Sequence, residues 1–195
     1  MRKRLYALPL MLAMLSPGAF AEVIDLSSWT ANGNVISSSS GAILSTTKNH
    51  NYSTASYGGT TGSTLSTVLE LVAGSVISFD WNFTTSDYSP YNDFALFIIG
   101  DEATTLADVL SLGNTPATTR STGWQSFSYT VETTGSSAVT FVASNALDKK
   151  FQSTLQVSNL TVSAVPEPQT YALLGIGVIG LLLSLRARRQ GATPA

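Results

Sequence analysis

Five carboxylates, Asp80, Asp87, Asp93, Asp101 and Glu102, lie close together in the sequence and are the residues best suited to do chemistry. Two of them could hydrolyse a glycosidic bond, one protonating the leaving oxygen while the other serves as nucleophile or base. Carboxylates, Asn side chains and backbone carbonyls are also the hard oxygen ligands that calcium takes, and Asp80 and Asp93 are the candidates. No EF-hand spacing fixes a ligand set. The same acids also have a plainer reading as solvent-facing groups that flank strands. Asp80 falls on the polar side of an alternating run, and Asp93 and Asp101 bracket an apolar one. Other chemistry is thinly represented. His50 is the single histidine, set in a polar Asn/Ser/Tyr stretch that reads as an exposed loop, and there is no cysteine. Thiol catalysis and thiolate metal sites therefore have no residue to use, and zinc has too few ligands. No G-x-S-x-G elbow, phosphate loop or dinucleotide fingerprint occurs. No catalytic residue is assigned, no cofactor is implied beyond a structural calcium ion, and a hydrolase is the lesser alternative.

Aromatic residues offer a second kind of site, because exposed rings stack on sugar faces while core rings stay in phase with their strand. Trp81 is in phase with Ile77, Phe79 and Phe83 and reads as core. Trp124 is out of phase with Phe127 and Tyr129 and opens a strand. Tyr88 and Tyr91 occupy one loop, Tyr52 and Tyr57 another. Tyr88, Tyr91 and Trp124 are the candidate glycan-binding residues.

The elements that must position these side chains are strands. Residues 22–164 are about one-third Ser and Thr, with Gly and Asn punctuation and little helix-forming charge pattern. Ile77, Phe79, Trp81 and Phe83 alternate with Ser78, Asp80 and Asn82, a period of two that buries one face of a strand. Phe127 to Val131 repeats it, and Leu65 to Leu71, Val139 to Phe141 and Leu155 to Val162 are weaker copies. The unbroken run Phe94 to Ile99 predicts a strand covered on both faces near a sheet centre. Gly74, Gly100, Gly113, Gly123 and Gly135 punctuate these runs as turns. Thr104 to Leu112 is the one stretch that fits a short helix, with Leu106, Val109 and Leu110 on one side. Ser37 to Gly41 and Tyr57 to Gly62 read as surface loops, or alternatively as parts of a ligand rim. The pattern predicts an all-β, antiparallel two-sheet sandwich of jelly-roll type over residues 22–164.

The two ends are of another kind. Residues 1–21 open with Arg2-Lys3-Arg4, pass through the apolar run Leu5 to Leu15 and end Ala19-Phe20-Ala21, the pattern of a secretory signal peptide cleaved before Glu22. The export translocase and a signal peptidase are its implied partners. Six of the ten basic residues sit in the terminal segments. Between Glu22 and Val165, Lys48, Arg120, Lys149 and Lys150 face eleven acids, a net charge of −7 that would repel nucleic acid. Past the sandwich, Val165-Pro166-Glu167-Pro168 cannot extend a strand, since its prolines lack ladder donors. From Tyr171 to Leu185 fifteen residues are apolar or small, predicting a short transmembrane helix, and Arg186, Arg188 and Arg189 follow as a stop-transfer cluster on the cytoplasmic side. As a helix those fifteen residues rise about 22 Å, short of a hydrocarbon core of about 30 Å. Residues 191–195 read as a disordered C-terminus.

Pro-Glu-Pro, a short Gly- and Leu-rich helix and an arginine tail together resemble the PEP-CTERM sorting domain, over residues 165–190. The resemblance implies an exosortase that recognises Val165, Pro166, Glu167 and Pro168, transient inner-membrane residence, and delivery to the cell surface or extracellular matrix of a Gram-negative bacterium that makes exopolysaccharide. A permanent tail anchor is the alternative. Gly123-Trp124-Gln125-Ser126-Phe127 and the run Leu155 to Val162 resemble strands of carbohydrate-binding jelly rolls. That family often carries Asp-Asn in its closing strand, where the acid can bind calcium. Here the pair is Ser158-Asn159. The expectation is thus a non-enzymatic structural or adhesive protein associated with extracellular polysaccharide, as in a biofilm matrix, with a carbohydrate-binding module as the alternative.

Overall fold

The structure, a computed structural model, describes residues 21–46, 52–163 and 168–190, with the backbone alone at 168–174 and 187–190. Residues 1–20 with Ala19, His50, the motif residues Val165, Pro166 and Glu167, the tail 191–195, and the side chains of Pro168, Arg188 and Arg189 lie outside the described residues.

Two antiparallel sheets face each other. One runs β10 (Arg120–Ser121), β7 (Val76–Thr85), β13 (Thr154–Ser163), β4 (Gly41–Ser45) and β3 (Asn34–Ser37). In it β11 (Gln125–Thr130) also pairs with β7, and β1 (Ala21–Val23) with β13. The other runs β2 (Thr30–Asn32), β6 (Thr61–Leu71), β12 (Gly135–Ser144), β8 (Phe94–Ile99) and β9 (Glu102–Asp108), with β5 (Tyr52–Ser53) on β6. The steps β6 to β7, β7 to β8, β11 to β12 and β12 to β13 each change sheet, which is the interleaving expected of a jelly roll. The first and last strands of the sandwich lie side by side, Glu22 opposite Val162 and Val23 opposite Thr161.

Alternation drives this arrangement. In β7 every second residue, Ile77, Phe79, Trp81 and Phe83, is buried, while Ser78, Asp80 and Asn82 face outward. Phe79 meets Phe97 of β8 and Phe141 of β12 with ring centroids 5.0 Å apart in both cases, so the two sheets close on an aromatic centre. β8 is an interior strand between β12 and β9, with Ala95, Leu96, Phe97 and Ile99 buried, which accounts for its unbroken apolar run. All five expected turn glycines have positive φ. At Gly100 (φ 56°), between β8 and β9, a built Cβ meets nothing within 4 Å, so the backbone alone demands glycine. Gly100→Ala should therefore cost about 1–2 kcal/mol, read as a lower urea midpoint at unchanged slope.

Two expectations change and one becomes more specific. Thr104 to Asp108 is not helical: it forms β9, with Thr104 opposite Phe97 and Thr105 opposite Leu96, and only Leu110–Leu112 turns as a 3₁₀ helix. Ser37 to Gly41 is the tight turn of the β3–β4 hairpin, closed by Ser38 N–H donating to Gly41 O at 2.8 Å. The C-terminal helix α1 (Pro168–Gln190) is longer than the expected 171–185 at both ends. It takes in the motif's last proline at its first position, where a missing N–H costs nothing, and carries the arginines in its final turns. Among the described residues no helix is long and apolar enough to cross a membrane. The sandwich strands fall within one compact unit.

Candidate functional site

The outer face of the first sheet carries a row of side chains fixed by register. Ile36 of β3 lies opposite Ile43 of β4, Ile43 opposite Gln156 of β13, and Gln156 opposite Asn82 of β7. Asn82 Nδ2 donates to Gln156 Oε1 at 3.1 Å, and Ser121 Oγ donates to Asn82 Oδ1 at 2.7 Å. Amides and hydroxyls are thus locked into a neutral strip, with apolar residues at one end. Trp124 stands over it, 56% exposed, in the turn before β11, a turn held by Gln125 Nε2 donating to Thr122 O. Ile36, Ile43, Trp124 and Gln156, with the Ser37–Gly41 turn, line a groove of about 280 Å³. The turn that reads as a loop in the sequence is therefore a rim of this groove. One step along β7, Asp80 accepts from Asn159 Nδ2 at 2.8 Å and from Ser126 Oγ at 2.7 Å, and these bonds hold its carboxyl below the ordinary range.

The other expected residues lie elsewhere. Tyr88 and Tyr91 are half-buried and pack edge to face, centroids 5.6 Å apart, with Phe151 against Tyr88 at 6.0 Å. The two rings are committed largely to each other. Beneath them Asp87 and Asp93 are buried, each 1% exposed, which corrects the reading of Asp93 as a solvent-facing strand flank. Asp93 Oδ2 accepts from Ser153 Oγ at 2.7 Å and Oδ1 from Ala146 N–H at 3.1 Å. Burial pushes the Asp93 carboxyl up to about 7 despite those bonds, with the negative charge of Asp87 and Asp148 adding to it. Burial also raises Asp87, whose Oδ2 has no hydrogen-bond partner while Oδ1 accepts from Tyr88 N–H. Arg120 donates to the Asp87 carbonyl, leaving its Nε and Nη1 buried without partners. Of the five clustered acids, Asp87 and Asp93 meet, but their burial removes them from contact with a substrate. Asp101 and Glu102 are exposed, Glu102 accepting from Tyr129 Oη at 2.9 Å. Asp80 and Asp93 belong to separate networks, and no three acidic or histidine side chains among the described residues group to hold a metal.

Helix α1 begins at Pro168 and carries Arg186, Arg188 and Arg189 in its last turns. Residues 164–189 match the PEP-CTERM protein-sorting motif. The motif marks an exported protein processed at the membrane by an exosortase. No curated protein resembles the chain closely enough to count as a match. Among solved structures, the N-terminal cellulose-binding domain of Cellulomonas fimi β-1,4-glucanase C is 15% identical with a TM-score of 0.34, covering 70% of this chain and 89% of its own. A structure described as "CBM4 structure and function" is 13% identical with a TM-score of 0.31, covering 74% of this chain and 94% of its own.

Proposed function

We propose that this PEP-CTERM protein is a non-enzymatic surface or matrix protein of a Gram-negative bacterium that adheres to extracellular polysaccharide through the Trp124 groove. The observation that carries this reading is an exposed indole beside a neutral strip of amides and hydroxyls. An aromatic face and fixed planar amides match the apolar face and the hydroxyls of a sugar ring. The net charge of −7 over Glu22 to Val165 favours a neutral polymer over a uronic one. A groove this small and open suits a few rings of a passing chain better than an enclosed small molecule. Titrating the full chain in mild detergent with neutral hexasaccharides (β-1,4-glucan, β-1,3-glucan, β-1,4-xylan) and a hexauronate should give heat with at least one of the neutral sugars. Heat from none of them would sink the reading.

Export by the translocase, cleavage by signal peptidase before Glu22 and exosortase cutting near Pro166-Glu167-Pro168 complete the proposal. A short apolar stretch, which spans only with local thinning and snorkelling arginines, fits a helix that resides in the inner membrane only until it is cut. Intact-mass measurement on protein from the native host should give a chain running from Glu22 to the Pro-Glu-Pro neighbourhood. Retention of Arg186 to Ala195 on most molecules would instead indicate a permanent tail anchor. Of the calcium candidates, Asp93 has the better partner, the buried carboxyl of Asp87 beside it. A melting temperature raised by calcium and lowered by a chelator would support that site; no response would remove it.

A further inference from the structure

The outer face of the second sheet, on the other side of the sandwich, holds another concave place of about 260 Å³, lined by Tyr57, Asn92, Phe94, Leu96, Thr105 and Asp108. Its floor is set by register. Ala95, Phe97 and Ile99 of β8 point into the core, so Phe94 and Leu96 point outward, with Thr105 opposite Leu96 and Asp108 opposite Phe94. Its polar wall is fixed. Asn92 Nδ2 donates to Asp108 Oδ2 at 3.1 Å, Leu110 N–H donates to Asn92 Oδ1 at 3.0 Å, and Ser111 N–H donates to Asp108 Oδ1 at 2.7 Å. Burial pushes the Asp108 carboxyl up, but these bonds from Asn92 and Ser111 outweigh it and keep the group an ionised acceptor.

The overhanging rim is fastened as well. Tyr57 ends a 3₁₀ turn (Ala55–Tyr57) closed by Gly58 in the left-handed region, φ 84°, with nothing within 4 Å of a built Cβ. On either side of it the chain is pinned down at the end of β12. Thr54 Oγ1 and Ser144 Oγ are 2.6 Å apart, Gly59 N–H donates to Thr54 O at 3.2 Å, and Thr60 N–H donates to Asn145 O at 2.9 Å. A side chain at Gly59 would collide with Ser144 Oγ, so glycine is what lets the rim sit this close. A tyrosine on a fastened turn beside an apolar floor, with an amide and a carboxylate held in place and a hydroxyl at the side, is an arrangement suited to a hydroxyl-rich ring.

We propose that the Tyr57 groove is a second saccharide site, taking the same neutral polysaccharide as the Trp124 groove, so that one domain bridges two polymer strands. This rests on reading the Trp124 groove as a saccharide site. Two sites on opposite faces cannot grip one short stretch of chain, so the consequence is cross-linking. Each strand held by many domains gains avidity even where single sites are weak.

The test is calorimetric stoichiometry of the full chain in mild detergent with the neutral hexasaccharide that binds, together with the turbidity of its mixture with the matching long polymer. Two hexasaccharides per chain are expected. Tyr57→Ala should leave one site at its original affinity, weaken the other at least tenfold and abolish the turbidity; Trp124→Ala should do the same from the other face. Thr105→Trp fills the groove from an exposed strand position and should reproduce Tyr57→Ala even if that variant folds poorly. One site per chain, lost with Trp124→Ala and untouched by Thr105→Trp, would overturn the second site and leave the first standing. One site lost only with Thr105→Trp would overturn both the Trp124 reading and the bridging. No heat from any sugar would overturn both sites.

Discussion

Asp93→Asn should stabilise the protein at pH 8 and remove a pH dependence that the native chain shows between about pH 4 and pH 7. Asp93 titrates near 7 in the folded protein and near an ordinary carboxylate value once unfolded. Through that window the folded state holds a proton that the unfolded state has lost, so stability falls as pH rises. The full effect is at most about 4 kcal/mol, with about 2–3 kcal/mol expressed between pH 5 and pH 8. For a sandwich of this size that lowers the melting temperature at pH 8 by about 5–10 °C. Asp87, Asp148, Ser153 and the Ala146 N–H face the group while Arg120 faces Asp87, and Asp87 shares the proton, so the two carboxyls titrate as a pair. Asp25, Asp80 and Asp108 work the other way. Their carboxyls are held low, so what they contribute is lost only below about pH 4, and the optimum falls at mildly acidic pH. In the variant an amide N–H takes the place of the proton toward Asp87, and Ser153 can turn its hydroxyl to Thr85, 2.8 Å away. A native melting temperature that is flat or rising from pH 5 to pH 8 would show that Asp93 is ionised throughout.

That pair marks where a one-dimensional reading stops. The central strands were legible because alternation is a local property: Ile77 to Phe83 bury every second side chain as spaced. Trp124 was legible for the same reason, being out of phase with Phe127 and Tyr129. The burial of Asp87 and Asp93 is not local, since Asp93 takes its partners from Ala146 and Ser153, 53 and 60 residues later. Nothing near either acid in sequence shows that they will be shut in together. β9 was misread because Leu106, Val109 and Leu110 fall at helical spacing, while the pairing of Thr104 and Thr105 with β8 decides the outcome. The strands before residue 54, β1 to β5, are two to five residues long, too short to show a period. Their contribution to both grooves, through Ile36 and Ile43 on one face and the turn after β5 on the other, emerges only from the sheet order.

Trp124→Ala should abolish measurable binding to the polysaccharide face while leaving the melting temperature within about a degree of the native value. The indole is more than half exposed, so little of its surface is spent on the core, and the turn beneath it is held by backbone and Gln125 contacts that alanine keeps. What the ring supplies is a rigid apolar platform at the centre of a small contact, where truncation of a tryptophan commonly costs 2 kcal/mol or more, about a thirtyfold loss of affinity. Trp124→Phe should recover part of that loss, since a smaller ring still stacks. Ile43→Asn should cost less, because the side chain forms the floor without covering the sugar. Tyr88→Ala and Tyr91→Ala make the opposite pair of expectations. Those rings pack on each other and on Phe151, so removing either should lower the melting temperature and leave affinity at the Trp124 groove unchanged. The two sets of variants separate a stacking platform from a structural cluster. If instead the tyrosine variants lose binding and Trp124→Ala keeps it, the saccharide site belongs to the Tyr88–Tyr91 loop and the sheet face is only a solvated surface.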